Sequence, residues 1–309
     1  MKKAIPAALI VLLFMPAAAY PAVFQEITIG TDARTVAMGN AFAPVVEGAS
    51  AVGLNPAGIG KTRKFQAGIS YNSWILDMSL QELNAVIPAQ YGTFGADIMY
   101  VNMGSFEMLD DNGYSTGKLS RPYTLQFTGA YGAPVFSYYS GIENKSPAVN
   151  LMLGFAAKYL VRNIEEDVRN AFSWDMGLKL DMAGWYSAGV VLKNISVTPS
   201  QDLPSSLIAG VSMKHSFDAQ NELLGVVSLN QQLEGTVKYN FGAEYSFSGL
   251  LFLRLGYEHD PVLTVAEGTY SGFSMGAGIV LQIIQIDYAY SQRGSAGNSQ
   301  TVTLTYRFQ

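Results

Sequence analysis

The two histidines are the first residues to weigh for chemistry. His215 lies in the stretch Lys214-His215-Ser216-Phe217 and His259 in Glu258-His259-Asp260-Pro261. A nucleophilic hydrolase needs a serine and a histidine within hydrogen-bond reach, with a third group orienting the base. The chain has no cysteine, which excludes thiol nucleophiles, thiolate metal sites and disulfides. Glu107 to Asp111 (EMLDD), followed by Gly113, is a compact acidic run. It lacks the full ligand ladder and closing glutamate of a calcium loop, so it reads as a solvated loop. Whether the histidines can meet depends on the elements that carry them.

Composition narrows those elements. Of 309 residues, 49% are hydrophobic and only 14% charged, with 31 Gly and 18 Tyr; soluble domains average roughly 25% charged. At the N-terminus, Lys2 and Lys3 precede an apolar run from Ala4 to Phe14, and Ala17-Ala18-Ala19 supplies small residues for cleavage. This pattern predicts a signal peptide over residues 1–19, its apolar run being too short to span hydrocarbon. Losing Lys2 and Lys3 takes the formal charge from −5 to −7, a poor balance for binding nucleic acid. No later apolar run reaches the length of about 20 residues that a membrane helix needs. Closed β-structure is the remaining way to satisfy so apolar a chain.

The period of two supports this. Phe65, Ala67, Ile69 and Tyr71 alternate with Gln66, Gly68, Ser70 and Asn72. Phe172, Trp174, Met176, Leu178 and Leu180 alternate with Ser173, Asp175, Gly177, Lys179 and Asp181. About 14 such runs follow residue 63, each with one apolar and one polar face. Many approach the roughly 9–11 residues of a tilted membrane strand, and aromatics collect near their ends, as in interfacial girdles. The expected fold is therefore all-β, a transmembrane antiparallel β-barrel over residues 63–309. Connections near 88–92, 181–184, 247–249 and 281–282 are short, and those near 104–122, 194–205, 258–269 and 291–299 are long. That alternation suits periplasmic turns and external loops. Residues 133–148 break it: they fall at a turn position but are long and aromatic, marking either an insertion or a slip in the count.

On this map His215 and His259 fall at opposite ends of an apolar band about 25 Å tall, so they share no site. Both read as solvated loop residues, and the sequence offers an enzyme almost nothing. The polar strand faces carry Asp97, Lys158, Arg162, Asp175, Lys179, Asp181, Lys238, Glu244, Arg254, Glu258, Asp287 and Arg307. Neighbouring strands can pair Lys158 with Asp175, Glu244 with Arg254, and Asp287 with Arg307. Charges in an enclosed interior need such partners; a role in selectivity or gating is the alternative.

Two segments carry a family resemblance. Thr31-Asp32-Ala33-Arg34-Thr35-Val36-Ala37-Met38-Gly39-Asn40-Ala41-Phe42 and Ser50-Ala51-Val52-Gly53-Leu54-Asn55-Pro56-Ala57-Gly58 resemble the opening of PorV/PorQ-type outer-membrane proteins, which are similar in turn to the FadL group of barrels. Ile286 to Tyr290 and Thr301 to Phe308 look like that family's last two strands. Asn40 stands where the family has a glycine and Leu54 where it has an aromatic. The resemblance implies that residues 20–62 form a plug, or hatch, inside the lumen, built on Arg34, Met38, Gly39, Phe42, Asn55, Pro56, Ala57 and Gly58. Glycines there permit close backbone approach, Pro56 biases Asn55 to an extended conformation, and the Asn55 side chain can tie to nearby backbone. On turn chemistry alone, an exposed N-terminal loop also fits. Met38, Val36 and Phe42 either line a small pocket near the hatch or anchor it.

By the same resemblance, the chain is a Gram-negative cell outer-membrane protein with no cofactor. It would contact outer-membrane lipid and reach the barrel-assembly machinery through its C-terminal strand. It would either pass a hydrophobic ligand or hand secreted cargo proteins onward in type IX secretion.

Overall fold

In a computed structural model, residues 24–110, 112–139, 148–165, 167–196, 203–233, 235–261 and 272–308 are described. The expected signal peptide, 1–19, lies outside them. In chain order the strands are β1 (Gln66–Ser73), β2 (Ser79–Ala89), β3 (Gly92–Asn102), β4 (Phe106–Leu109), β5 (Ser115–Ser120), β6 (Tyr123–Tyr138), β7 (Val149–Ile164) and β8 (Asp167–Met182). They continue as β9 (Tyr186–Ser196), β10 (Ser206–Ser216), β11 (Asn221–Gln232), β12 (Val237–Phe247), β13 (Leu251–His259), β14 (Phe273–Leu281), β15 (Ile284–Gln292) and β16 (Asn298–Arg307).

Fourteen of them form a closed antiparallel barrel. Each pairs with its sequence neighbour, β3 pairs with β6 across the small β4–β5 hairpin, and β1 closes on β16 with Gln66 opposite Arg307. We call the end holding Gln66 and Arg307 the base and the opposite end the mouth.

Alternation puts the polar residues inside. On β6, Thr124, Gln126 and Thr128 are buried while Phe127 and Tyr131 on the opposite face are exposed, 43% for Phe127 against 4% for Gln126. The same holds on β2, with Glu82 and Asn84 buried and Leu83 and Ile87 exposed. A water-soluble sheet does the reverse, so the outer face is built for lipid. Aromatic clusters mark both ends: Phe308 contacts Phe65 and Tyr306 at the base, and Tyr100 meets Tyr123 at the mouth, ring centroids 5.8 Å apart.

The anomalous stretch 133–148 is resolved by the ladder. β6 continues to Tyr138, opposite Val149, through a bulge between Pro134 and Phe136. A proline cannot donate to a ladder, and a bulge is where a sheet tolerates one. The strand count does not slip there. What looked like a long connection is in its first half an extension of the wall, and residues 140–147 lie outside the described chain.

Residues 24–62 pack on the inward faces of the strands. Helix α1 (Ala33–Ala37) starts at Asp32, whose carboxylate accepts from the Thr35 N–H at 2.9 Å and from the Ser50 hydroxyl at 2.8 Å. Helix α2 (Ala51–Leu54) ends at Asn55, and Pro56 opens a 3-10 turn to Lys61. Wall glycines admit this backbone. A Cβ on Gly256 of β13 would lie 2.1 Å from the Gly39 nitrogen, and one on Gly154 of β7 would lie 2.1 Å from the Pro56 carbonyl carbon.

Candidate functional site

Arg34 leaves α1 and holds Glu244 of β12 with two hydrogen bonds, Nε and Nη2 each 2.8 Å from a carboxylate oxygen. Burial works against its charge, but Glu244 outweighs burial and raises the guanidinium further above its ordinary pKa. Glu244 also accepts from Arg254 Nε at 2.6 Å, and Arg254 Nη1 donates to Asp287 at 2.6 Å. Asp287 is therefore held by Arg254 and not by Arg307, contrary to the strand-neighbour expectation. Arg307 instead donates to Gln285 of β15, which lies opposite Thr305, two residues along. Lys158 meets Asp175 at 2.6 Å, and Asn194 binds both, its backbone N–H donating to Asp175 and its side-chain Oδ1 accepting from Lys158.

At the base, Glu47 of the N-terminal segment accepts from Lys179 at 2.5 Å and Lys61 at 2.9 Å, and Lys61 reaches Asp181 at 3.1 Å. Burial pushes the Glu47 carboxyl up, but Lys179 and Lys61 outweigh it and hold it at about 2. Asp181 and Glu47 hold the Lys61 ammonium above its usual value against the opposing effect of burial.

Met38 and Val36 are buried against the wall; Met38 lies where a Cβ on Gly242 or Gly256 would sit. They anchor the segment. Gly39, at φ +63°, turns the chain against Tyr257. Asn55 accepts from the Ala57 N–H at 3.2 Å and donates to the Ala43 carbonyl at 2.8 Å. Pro56, Ala57 and Gly58 are buried beside it. These residues set the shape of the segment; Arg34 also faces the space at the base, and Phe42 faces open space on the mouth side.

That space is a cavity of about 200 Å³ on the mouth side of the segment. Its apolar lining includes Phe42, Leu54, Ile27, Trp74, Met99 and Ile208. Its polar lining includes Glu82, Asp97, Gln126, Lys158 and Lys193 of the strands, Thr31 and Asn40 of the segment and, on the far wall, Glu258 with Arg293. Arg293 stacks on Trp74, its guanidinium 4.7 Å from the ring centroid, and binds Glu258 at 3.2 Å. A wider groove of about 700 Å³ near the β4–β5 hairpin is lined by Met78, Met103 and Phe106, and Thr28 and Ile29 border both spaces.

Glu82 and Lys193 were absent from the residues singled out by sequence. Strand parity could have found both, since Glu82 shares the inward face of Asn84 and Lys193 that of Gly189 and Val191. His215, next to last in β10, and His259, last in β13, are strand residues and not loop residues as expected, and they lie at opposite ends of the barrel. Among the described residues no group of three His, Asp or Glu could hold a metal ion.

No family model matches the sequence, and no curated protein does. Solved structures do match in shape. The toluene transporter TbuX of Ralstonia pickettii aligns with a TM-score of 0.59 at 15% identity, over 91% of this chain and 99% of its own. The toluene transporter TodX of Pseudomonas putida gives 0.57 at 13%, over 88% and 96%. A FadL homologue of Pseudomonas aeruginosa gives 0.51 at 12%, over 95% and 100%. At such identities the likeness speaks for the fold: the chain is a closed fourteen-stranded barrel of the FadL-like shape.

Proposed function

We propose that this chain is an outer-membrane conduit for small hydrophobic molecules, with the N-terminal segment as its internal plug. One observation carries the proposal: a cavity with an apolar patch from Phe42, Leu54, Trp74, Met99 and Ile208 facing a charged wall lies between that segment and the barrel strands, next to a groove at the mouth. The lipid-type outer face and the fold shared with toluene transporters support the same reading. Residues 1–19 then direct export, and β16, with Tyr306 near its end and Phe308 just beyond it, is the segment offered to barrel-assembly machinery.

The protein-export alternative rests on the PorV/PorQ resemblance of residues 31–42 and 50–58. A strain lacking the gene separates the two. Slowed toluene uptake with an unchanged set of surface proteins supports the conduit; unchanged uptake with lost surface proteins supports export and overturns it.

A further inference from the structure

The polar wall of the cavity has a pattern that a pure hydrocarbon leaves unused. Thr128 donates its one hydroxyl hydrogen to Asp97 Oδ1 at 3.2 Å. Gln126 must then turn its NH₂ to Thr128 Oγ, 3.3 Å away, which fixes the amide orientation. Its Oε1 is left buried and accepts from no group of the described protein. Gln126 is only 4% exposed and lines the cavity. A buried acceptor left without a donor is unfavourable, so a donor arriving there is favoured.

Lys193 supplies the complementary group. Its ammonium carries three hydrogens and gives one to the Gly53 carbonyl at 2.8 Å, lying 5.5 Å from the centre of the Phe42 ring. It makes no salt bridge among the described residues. The same cavity thus holds an acceptor in want of a donor and a donor in want of an acceptor.

Charge then selects the head group. A carboxylate could accept from Lys193, but it offers Gln126 no hydrogen and lies beside the acidic Glu82. An ammonium could serve Gln126 but meets Lys193 and Lys158. A hydroxyl is neutral and both donates and accepts. We propose that the cavity selects a small apolar molecule bearing one hydroxyl, whose O–H donates to Gln126 Oε1 and whose oxygen accepts from Lys193 Nζ. Its apolar body lies against Phe42, Leu54 and Ile208. This deepens the conduit reading and rests on it.

The test is calorimetric titration of the purified full-length barrel in detergent with phenol, toluene, benzoate and benzylamine, each corrected for detergent alone. Phenol is expected to bind about tenfold more tightly than the other three, since a polar site discriminates against analogues that leave its groups unpaired. Gln126→Leu should reduce the preference over toluene to about twofold or less, and Lys193→Met should weaken phenol more than toluene. Toluene binding as tightly as phenol overturns the hydroxyl assignment while leaving the conduit standing. So does tighter binding of benzoate or benzylamine. A folded barrel that binds none of the four overturns the conduit and the assignment together. Should Gln126→Leu fail to assemble, Lys193→Met and the four-ligand ranking on the unmodified chain still decide.

Discussion

Arg34 and Glu244 join the N-terminal segment to the barrel wall through two parallel hydrogen bonds of 2.8 Å each. Such a fork is stronger and more directional than a single ion contact. Glu244 is also bound by Arg254, so removing Arg34 does not leave the carboxylate alone. Arg34→Ala should therefore release the segment without dismantling the wall. We expect a loss of about 1.5–3 kcal/mol in segment docking, seen as faster protease cleavage between residues 30 and 60 and a higher conductance in planar bilayers. Arg34→Lys keeps the charge but loses the fork, and should fall between the two. Unchanged cleavage in Arg34→Ala would show that glycine packing alone seats the segment.

The latch at the base should respond to acid. The folded Glu47 carboxyl is held at about 2, below its ordinary value of 4.5. A depressed folded pKa contributes stability that is present above 4.5 and disappears as pH falls through about 2. The Glu47 side chain is 41% exposed, so solvent screening limits the effect to about 1 kcal/mol or less. Leak across reconstituted bilayers should rise on acidification within this window. Glu47→Gln should raise the leak at neutral pH and remove the part of the acid response that titrates there.

Glycine placement gives a sharper prediction, because it comes with its own control. A Cβ at Gly154 or Gly256 would run into backbone of the N-terminal segment, and backbone cannot swing aside. A Cβ at Gly225 of β11 meets nothing within 4 Å. Gly154→Ala and Gly256→Ala should leave a heat-modifiable barrel on gels but expose the segment to protease. Gly225→Ala should match the unsubstituted chain in both assays.

Much of this was legible in the sequence, and the part that was not has a common cause. A period of two gives each residue's face without any knowledge of its neighbours, which is why the barrel strands and the inward position of Lys158, Asp175, Glu244 and Arg254 could be read directly. Asp287 shows the limit. On the β14–β15–β16 wall, parity puts Asp287 and Arg307 on one polar face, yet Arg254 reaches across β14 to take the carboxylate, passing Gly278, whose missing side chain leaves room. That choice depends on side-chain length and on an empty position in an intervening strand. A small pocket beside Phe42 was one of two expectations for that residue, but its polar side was not legible, because Phe42 and the Gly53 carbonyl come to Lys193 only through the tertiary path of the N-terminal segment.

The Lys158–Asp175 pair tests whether lumen charges are structural. Both side chains are almost wholly buried and 2.6 Å apart, and Asn194 ties them to β9. Removing one partner strands a charge in a confined interior, at a cost of about 3–5 kcal/mol. Replacing both with apolar residues of similar volume removes the stranded charge. Lys158→Met should therefore lower the urea midpoint of the barrel markedly, and Lys158→Met combined with Asp175→Leu should recover much of the loss. Asn194 would lose partners for both its backbone N–H and its Oδ1 in the double variant, so recovery should be incomplete. A double variant less stable than either single one would mean that the pair contributes through the wider Asn194 network and not through charge compensation, and a chevron-free equilibrium titration monitored by Trp174 on the same strand as Asp175 is enough to distinguish these outcomes.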